Sequence, residues 1–254
     1  MTKRVCVFVD GENFRHAIED LLRGDFNGDE YLPKKALWAE FFDHLVERAS
    51  TNSGNRFRTY WYVIKHLDFF PYRFPKADEK DSSGNFVLKK LLRKHEIFNI
   101  ILDGLDEYTL IPKMRHIVDY LRKEQDKMRK RFDGWTVMQN GIAGAHKSVE
   151  FRRAGAIRYN LYENTLGNEK AVDVKLATDL ILLRDIYDMA VIVSGDQDYV
   201  PAVEAVKDFG KEVVNVSFLT RKGDLLPGGA WRLNQVTDWS LQVQHSDLKK
   251  YMVP

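Results

Sequence analysis

The strongest constraint on this chain is one stretch, Ala190-Val191-Ile192-Val193-Ser194-Gly195-Asp196-Gln197-Asp198-Tyr199. Short apolar residues run into a Ser-Gly turn, two carboxylates follow with one residue between them, and an apolar-periodic segment begins at Tyr199. The pattern reads as a strand buried on both faces, a tight turn and a helix start. Open α/β sheets use this unit and place their ligands at the carboxyl ends of parallel strands, where Asp196 and Asp198 fall. Acids this close repel each other unless a cation lies between them, and a divalent metal is the expected cation.

The same unit opens the chain. Val5-Cys6-Val7-Phe8-Val9 is a continuous apolar run that ends at Asp10-Gly11-Glu12-Asn13, followed by Phe14, Ala17, Ile18, Leu21 and Leu22 at helical spacing. Taken alone, Asp10 is an ordinary helix N-cap. Residues 24–30 read as a polar loop. Pro33 opens a helix carrying Leu37, Phe41, Phe42 and Leu45, and residues 56–65, rich in aromatic and β-branched side chains, read as the second strand. Residues 71–85 form a surface loop, and residues 86–98 a basic amphipathic helix.

Residues 104–133 look like a helical insertion with a stripe of Met114, Ile117, Val118 and Leu121. Its cations, among them Arg115, Arg122, Lys123, Lys127, Arg129, Lys130 and Arg131, suit a phosphate backbone. Asp119, Glu124 and Asp126 give the plainer reading of a solvated helix. Residues 135–138 follow as a candidate strand, 140–144 as a flexible loop and 157–162 as a strand or hairpin arm. Lys147, Arg152, Arg153 and Arg158 are better placed for phosphate contacts, being close in sequence to the next acidic position.

That position is Asp173, in a helix opening at Lys170 and continuing through Leu183. Asp173 shares a face with Leu176, Ala177 and Leu180, whereas Asp179 points away and reads as a surface or capping charge. An inward acid at a helix start is otherwise explained by backbone amides. A helix over 199–209 ended by Gly210, a strand over 212–218, a loop over 222–229 and a final helix or extended tail over 231–254 complete the chain.

The 254 residues, 44% of them hydrophobic, suffice for one large α/β domain, and a single domain over 1–254 is expected. A net charge of +2 points to no partner, so nucleic-acid affinity must come from local patches. Cys6, the single cysteine, excludes an internal disulfide and reads as a small buried hydrophobe. No apolar run approaches the roughly 20 residues of a membrane span, and Met1-Thr2-Lys3-Arg4 precedes too few apolar residues for a signal peptide, so a reducing, cytoplasmic setting is expected. Walker, G-x-G-x-x-G, G-x-S-x-G and zinc-type spacings are absent from the sequence. Asp10, Asp173, Asp196 and Asp198 can converge in one crevice of a parallel sheet, and four carboxylates suit Mg²⁺ or Mn²⁺. Such an ion supports phosphodiester hydrolysis without a Ser, Cys or His nucleophile.

These residues carry a family resemblance. Val7-Phe8-Val9-Asp10-Gly11-Glu12-Asn13, Lys170-Ala171-Val172-Asp173-Val174-Lys175-Leu176-Ala177-Thr178-Asp179 and Val193-Ser194-Gly195-Asp196-Gln197-Asp198-Tyr199-Val200-Pro201 resemble the three motifs of NYN domains, the PIN-like nuclease group that includes the LabA-like proteins. The resemblance implies a Rossmann-like (PIN-like) three-layer α/β fold with a central mainly parallel sheet, and a Mg²⁺- or Mn²⁺-dependent ribonuclease acting on single-stranded regions of RNA. Asp10, Asp173, Asp196 and Asp198 match the family's metal acids, Asn13 and Ser194 its supporting polar positions. Asp10 and Asp196 are then the expected direct ligands, with Asp173 and Asp198 completing the site or orienting water. Arg152, Arg153, Lys170 and Lys175 are the expected RNA contacts. The basic segment exceeds a minimal NYN domain and leaves homo-oligomerisation open. Two rivals stand beside this reading: a silent NYN module that binds RNA or a protein without cutting, and a haloacid-dehalogenase-like phosphatase. The second normally needs an aspartate where this chain has Glu12.

Overall fold

The computed structural model describes residues 2–25, 31–226 and 231–253. Strands β1 (Lys3–Asp10), β2 (Gly54–Phe70), β3 (Val149–Asn160), β4 (Thr165–Lys170), β5 (Met189–Val193), β6 (Glu212–Phe218) and β7 (Trp239–Val243) form one mixed, mostly parallel sheet in the order β4-β3-β2-β1-β5-β6-β7. The helices are α1 (Gly11–Leu21), α2 (Trp38–Ala49), α3 (Val87–Leu92), α4 (Glu96–Leu102), α5 (Glu107–Ala145), α6 (Val172–Leu182), α7 (Val200–Asp208), α8 (Trp231–Val236) and α9 (His245–Met252). The α/β architecture with a central, mainly parallel sheet expected from the sequence is therefore present.

Two compact units divide the chain. The first comprises residues 1–65, 135–155 and 170–254, the second 66–134 and 156–169. In the first unit β1 is central, paired in parallel with β2 on one side and β5 on the other, and β6 and β7 extend the parallel run. Strands covered on both faces need apolar residues at every position, which is why β1 from Val5 to Val9 and all of β5 are buried. Phe14 of α1 stacks on Phe41 and Phe218, at 5.7 and 5.6 Å between ring centroids, so the first helix locks onto the core beside the end of β1. In the second unit, Met114, Ile117, Val118 and Leu121 are buried as their spacing predicts. Tyr162 meets His95 and Phe98 in a ring cluster there.

Several boundaries differ from the sequence expectations. Residues 135–138 are not a strand and 140–144 are not a loop: both lie within α5, which is 39 residues long. Trp135, Gln139 and Ile142 recur on one buried helical face, and Trp135 stacks on Tyr31 at 4.6 Å. Burying that face outweighs the β-propensity of Trp-Thr-Val and about 1 kcal/mol for each helical glycine. The second helix begins at Trp38 and not at Pro33, because the Leu37 N–H donates to the Tyr251 carbonyl and holds that residue outside the helix. The basic helix over 86–98 is two short helices, α3 and α4, separated where His95 adopts an extended backbone. Arg152, Arg153 and Arg158 lie on β3, which starts at Val149, and Lys170 ends β4, so α6 begins only at Val172. The final segment contains β7 between α8 and α9. Its alternating burial on the edge of the sheet gave no continuous apolar run to read. The expected loops over 24–30 and 222–229 lie partly outside the described residues.

Candidate functional site

The chain leaves β1 toward β2 on one side, while β5, β6 and β7 build out on the other. The carboxyl ends of β1 and β5 therefore flank a topological switch point, the place where such sheets open a crevice. Val9 is in register with Val193, so Asp10 and Ser194 follow side by side.

Asp10 is 3% exposed and caps α1, accepting from the Asn13 N–H at 3.2 Å. The turn is possible because Gly11 has no side chain: a Cβ there would strike the Tyr62 carbonyl oxygen. Ser194 Oγ donates to Asp10 Oδ2 at 2.9 Å and accepts from the Asp196 N–H at 3.0 Å. Asn13 Oδ1 accepts from the Gly195 N–H at 2.9 Å, tying the start of α1 to the turn after β5. Asn13 and Ser194 thus tie the two acidic turns together.

Tyr199 was not foreseen as a site residue. Its hydroxyl lies 3.1 Å from Asp10 Oδ2 and 3.2 Å from Asp173 Oδ1, so one buried phenol joins the two acids. The signal was available: a tyrosine opening an otherwise apolar helix face, directly after an acidic turn, needs a partner for its hydroxyl. A hydroxyl carries one proton and cannot donate fully to two carboxylates. Burial pushes the Asp10 carboxyl up to about 6, against the Asn13 and Ser194 hydrogen bonds, and the neighbouring Asp173 charge adds to the rise. Asp173 is also raised, first by burial and then by Asp196 and Asp198, with Tyr199 opposing. Asp196 Oδ1 accepts from the Asp198 N–H at 2.9 Å, and Asp198 is exposed.

Among the described residues no group of three or more acids, histidines or cysteines is arranged closely enough to enclose a metal ion. The donor chemistry nevertheless fits Mg²⁺ or Mn²⁺. Every candidate ligand is a carboxylate oxygen, two are held in a region that disfavours their charge, and Mg²⁺ usually takes one or two carboxylates together with water and phosphate oxygens.

The cations divide differently. Asp179, expected at the surface, is 2% exposed and organises its own cluster. It accepts from Arg152 Nη1 at 2.6 Å, Lys175 Nζ at 2.7 Å and Tyr62 Oη at 3.1 Å. Helical geometry fixes the angle of a side chain but not which neighbours cover it, and β2 and β3 supply the partners. Arg152 also lies over the Tyr60 ring, 4.2 Å from its centroid. Arg153 donates to Gln139 Oε1 and Asn140 Oδ1 at 3.2 and 2.8 Å. Lys170 is exposed, and its backbone carbonyl packs against Gly155 so closely that no Cβ would fit there. Gly155, within β3, adopts a positive φ of 61°, and Ala171, at a φ of 69°, turns the chain from β4 into the helix that carries Asp173.

The profile of the NYN domain family matches residues 105–226, a segment that includes Asp173, Ser194, Asp196 and Asp198 and excludes Asp10 and Asn13. No curated protein matches the chain significantly. A crystal structure of a protein of unknown function from Vibrio parahaemolyticus RIMD 2210633 is similar over 95% of this chain and 93% of its own, with 13% identity and a TM-score of 0.42. That likeness is too distant to carry an argument. No helix among the described residues is long and apolar enough to cross a membrane.

Proposed function

We propose that this chain, which matches the NYN domain family over residues 105–226, is a PIN-like nuclease that hydrolyses RNA phosphodiesters with Mg²⁺ or Mn²⁺ held by Asp10, Asp173, Asp196 and Asp198. The observation that carries the reading is the buried Asp10 joined to the half-buried Asp173 through the Tyr199 hydroxyl at the switch point of the sheet. Burying one carboxylate and half-burying a second beside it without a counter-charge disfavours both charges, so the arrangement makes sense as a place for a cation. When bound, the ion supplies charge for the phosphodiester oxygens and lowers the pKa of a water.

The residues of this chain do the rest. Asp10 and Asp196 bind, Asp173 and Asp198 complete the site or hold the attacking water, and Ser194, Asn13 and Tyr199 fix the carboxylates in place. Lys170, exposed at the end of β4, contacts the RNA backbone. Arg152, Arg153 and Lys175, which have protein partners, contribute positive field and secondary contacts. Glu12 argues against the phosphatase reading. It is ion-paired with Arg15 at 3.0 Å and accepts from Tyr31, which leaves it poorly placed to act as that family's second acid.

The test is cleavage of an end-labelled, mixed-sequence RNA in Mn²⁺, in Mg²⁺ and in EDTA, with Asp10→Asn run in parallel. Metal-dependent cutting lost in the mutant is expected. RNA binding without cutting under any condition would replace this reading with that of a silent RNA-binding module.

A further inference from the structure

Next to the acidic turn, the first unit has a hollow of about 520 Å³ that none of the foregoing uses. Asp198, Gln197 and Pro201 form one side, and Trp231, Arg232 and Gln235 of α8 the other. Trp231 is 65% exposed and makes no ring contact among the described residues. By contrast Trp38, Trp61 and Trp135 are buried against other aromatic rings. Leaving an indole in water forfeits the large gain of burying it, so such a platform points to a planar ligand. Arg232 is likewise exposed and has no acidic partner among the described residues. The amides of Gln197 and Gln235 offer both donors and acceptors to a base edge.

We propose that this hollow is a nucleobase subsite, in which an unpaired base of the RNA stacks on Trp231 while Arg232 takes the adjoining phosphate. The proposal rests on the ribonuclease reading and deepens it, since it names the residues that would take an unpaired base and its phosphate. A base stacks on an indole only when it is free of its neighbours, and stacking with a flanking cation is how proteins hold single strands with little sequence preference. Asp198, shared by the hollow and the acidic turn, sets the subsite beside the scissile position. A duplex, whose bases are already paired and stacked, cannot enter it.

The experiment titrates the full chain, in EDTA so that nothing is cut, with a mixed-sequence single-stranded oligoribonucleotide while tryptophan fluorescence and anisotropy of a labelled strand are followed. Wild type is expected to bind with quenching. Trp231→Ala should lose most of the quench and weaken binding about tenfold, Trp231→Phe should recover most of the affinity, and Arg232→Gln should lower the salt slope by about one. Thermal melts of the variants check folding. Wild-type binding with Trp231→Ala within twofold of it overturns the subsite and leaves the nuclease reading standing, as does a duplex RNA that quenches Trp231 as well as the single strand. Absence of any RNA binding by wild type overturns both.

Discussion

Removing Asp179 tests how the fold positions the acidic helix, because three donors converge there on one carboxylate with a side chain 3% exposed. Asp179→Ala strands the Tyr62 hydroxyl, which costs about 1–3 kcal/mol, and leaves the largely covered Arg152 with Glu150 as its remaining counter-charge. Breaking a buried ion pair from one side costs about 3–5 kcal/mol in all. Lys175 is 43% exposed and regains water, which places the expectation near the lower end, about 3 kcal/mol. For a chain of this size, at about 2 °C per kcal/mol, the melting temperature should fall by roughly 6 °C. Asp179→Asn keeps the shape and an acceptor and should cost about half as much. Burial raises the Asp179 carboxyl, but Lys175 and Arg152 outweigh it and hold it below the usual carboxylate range. A depressed carboxyl contributes stability that is present above its unfolded pKa of about 3.9 and is lost as pH falls through the folded value. Guanidinium denaturation from pH 7.5 down to 3.5 should therefore show the gap between wild type and Asp179→Asn narrowing at the acid end. An Asp179→Ala protein with an unchanged midpoint at pH 7.5 would falsify the reasoning.

Other measurements probe the site itself. In EDTA, Asp10→Asn should be more stable than wild type at pH 8 by up to about 3 kcal/mol, because the raised folded pKa means wild type loses stability as pH climbs from about 4 through 6; melts that show no such divergence count against a buried, uncompensated Asp10. Added Mn²⁺ should raise the melting temperature of wild type in a concentration-dependent way and leave Asp10→Asn nearly unmoved, read by differential scanning fluorimetry. Gly155→Ala should destabilise by more than about 2 kcal/mol, since the new Cβ meets the Lys170 carbonyl at a positive φ, while Ala171→Gly should be neutral or stabilising; chemical denaturation of both variants decides this. Cys6, buried with its thiol pushed up to about 12 by burial, should react with thiol reagents in denaturant and stay protected in the native protein.

Much of the site could be read from local pattern. Apolar runs at 5–9 and 190–193, each ended by an acid and a turn, specify buried parallel strands, because only a strand covered on both faces needs that pattern. They placed Asp10, Ser194 and Asp196 at strand ends, and one crossover rule set them at a common crevice. What the sequence could not supply is which side chains meet across elements. Tyr199 bridges Asp10 to Asp173 because β1, α6 and the turn after β5 converge in space, and Asp179 is buried because β2 and β3 bring Tyr62 and Arg152 to it. Residues 135–145 are helical because Trp135 finds Tyr31 more than a hundred positions earlier, a contact that no local propensity encodes. Local chemistry determined where the strands end and which acids stand there, since those follow from burial and turn geometry within a few residues. Tertiary packing decided which charges are buried, which are shared and which face water, because each depends on partners distant in the chain.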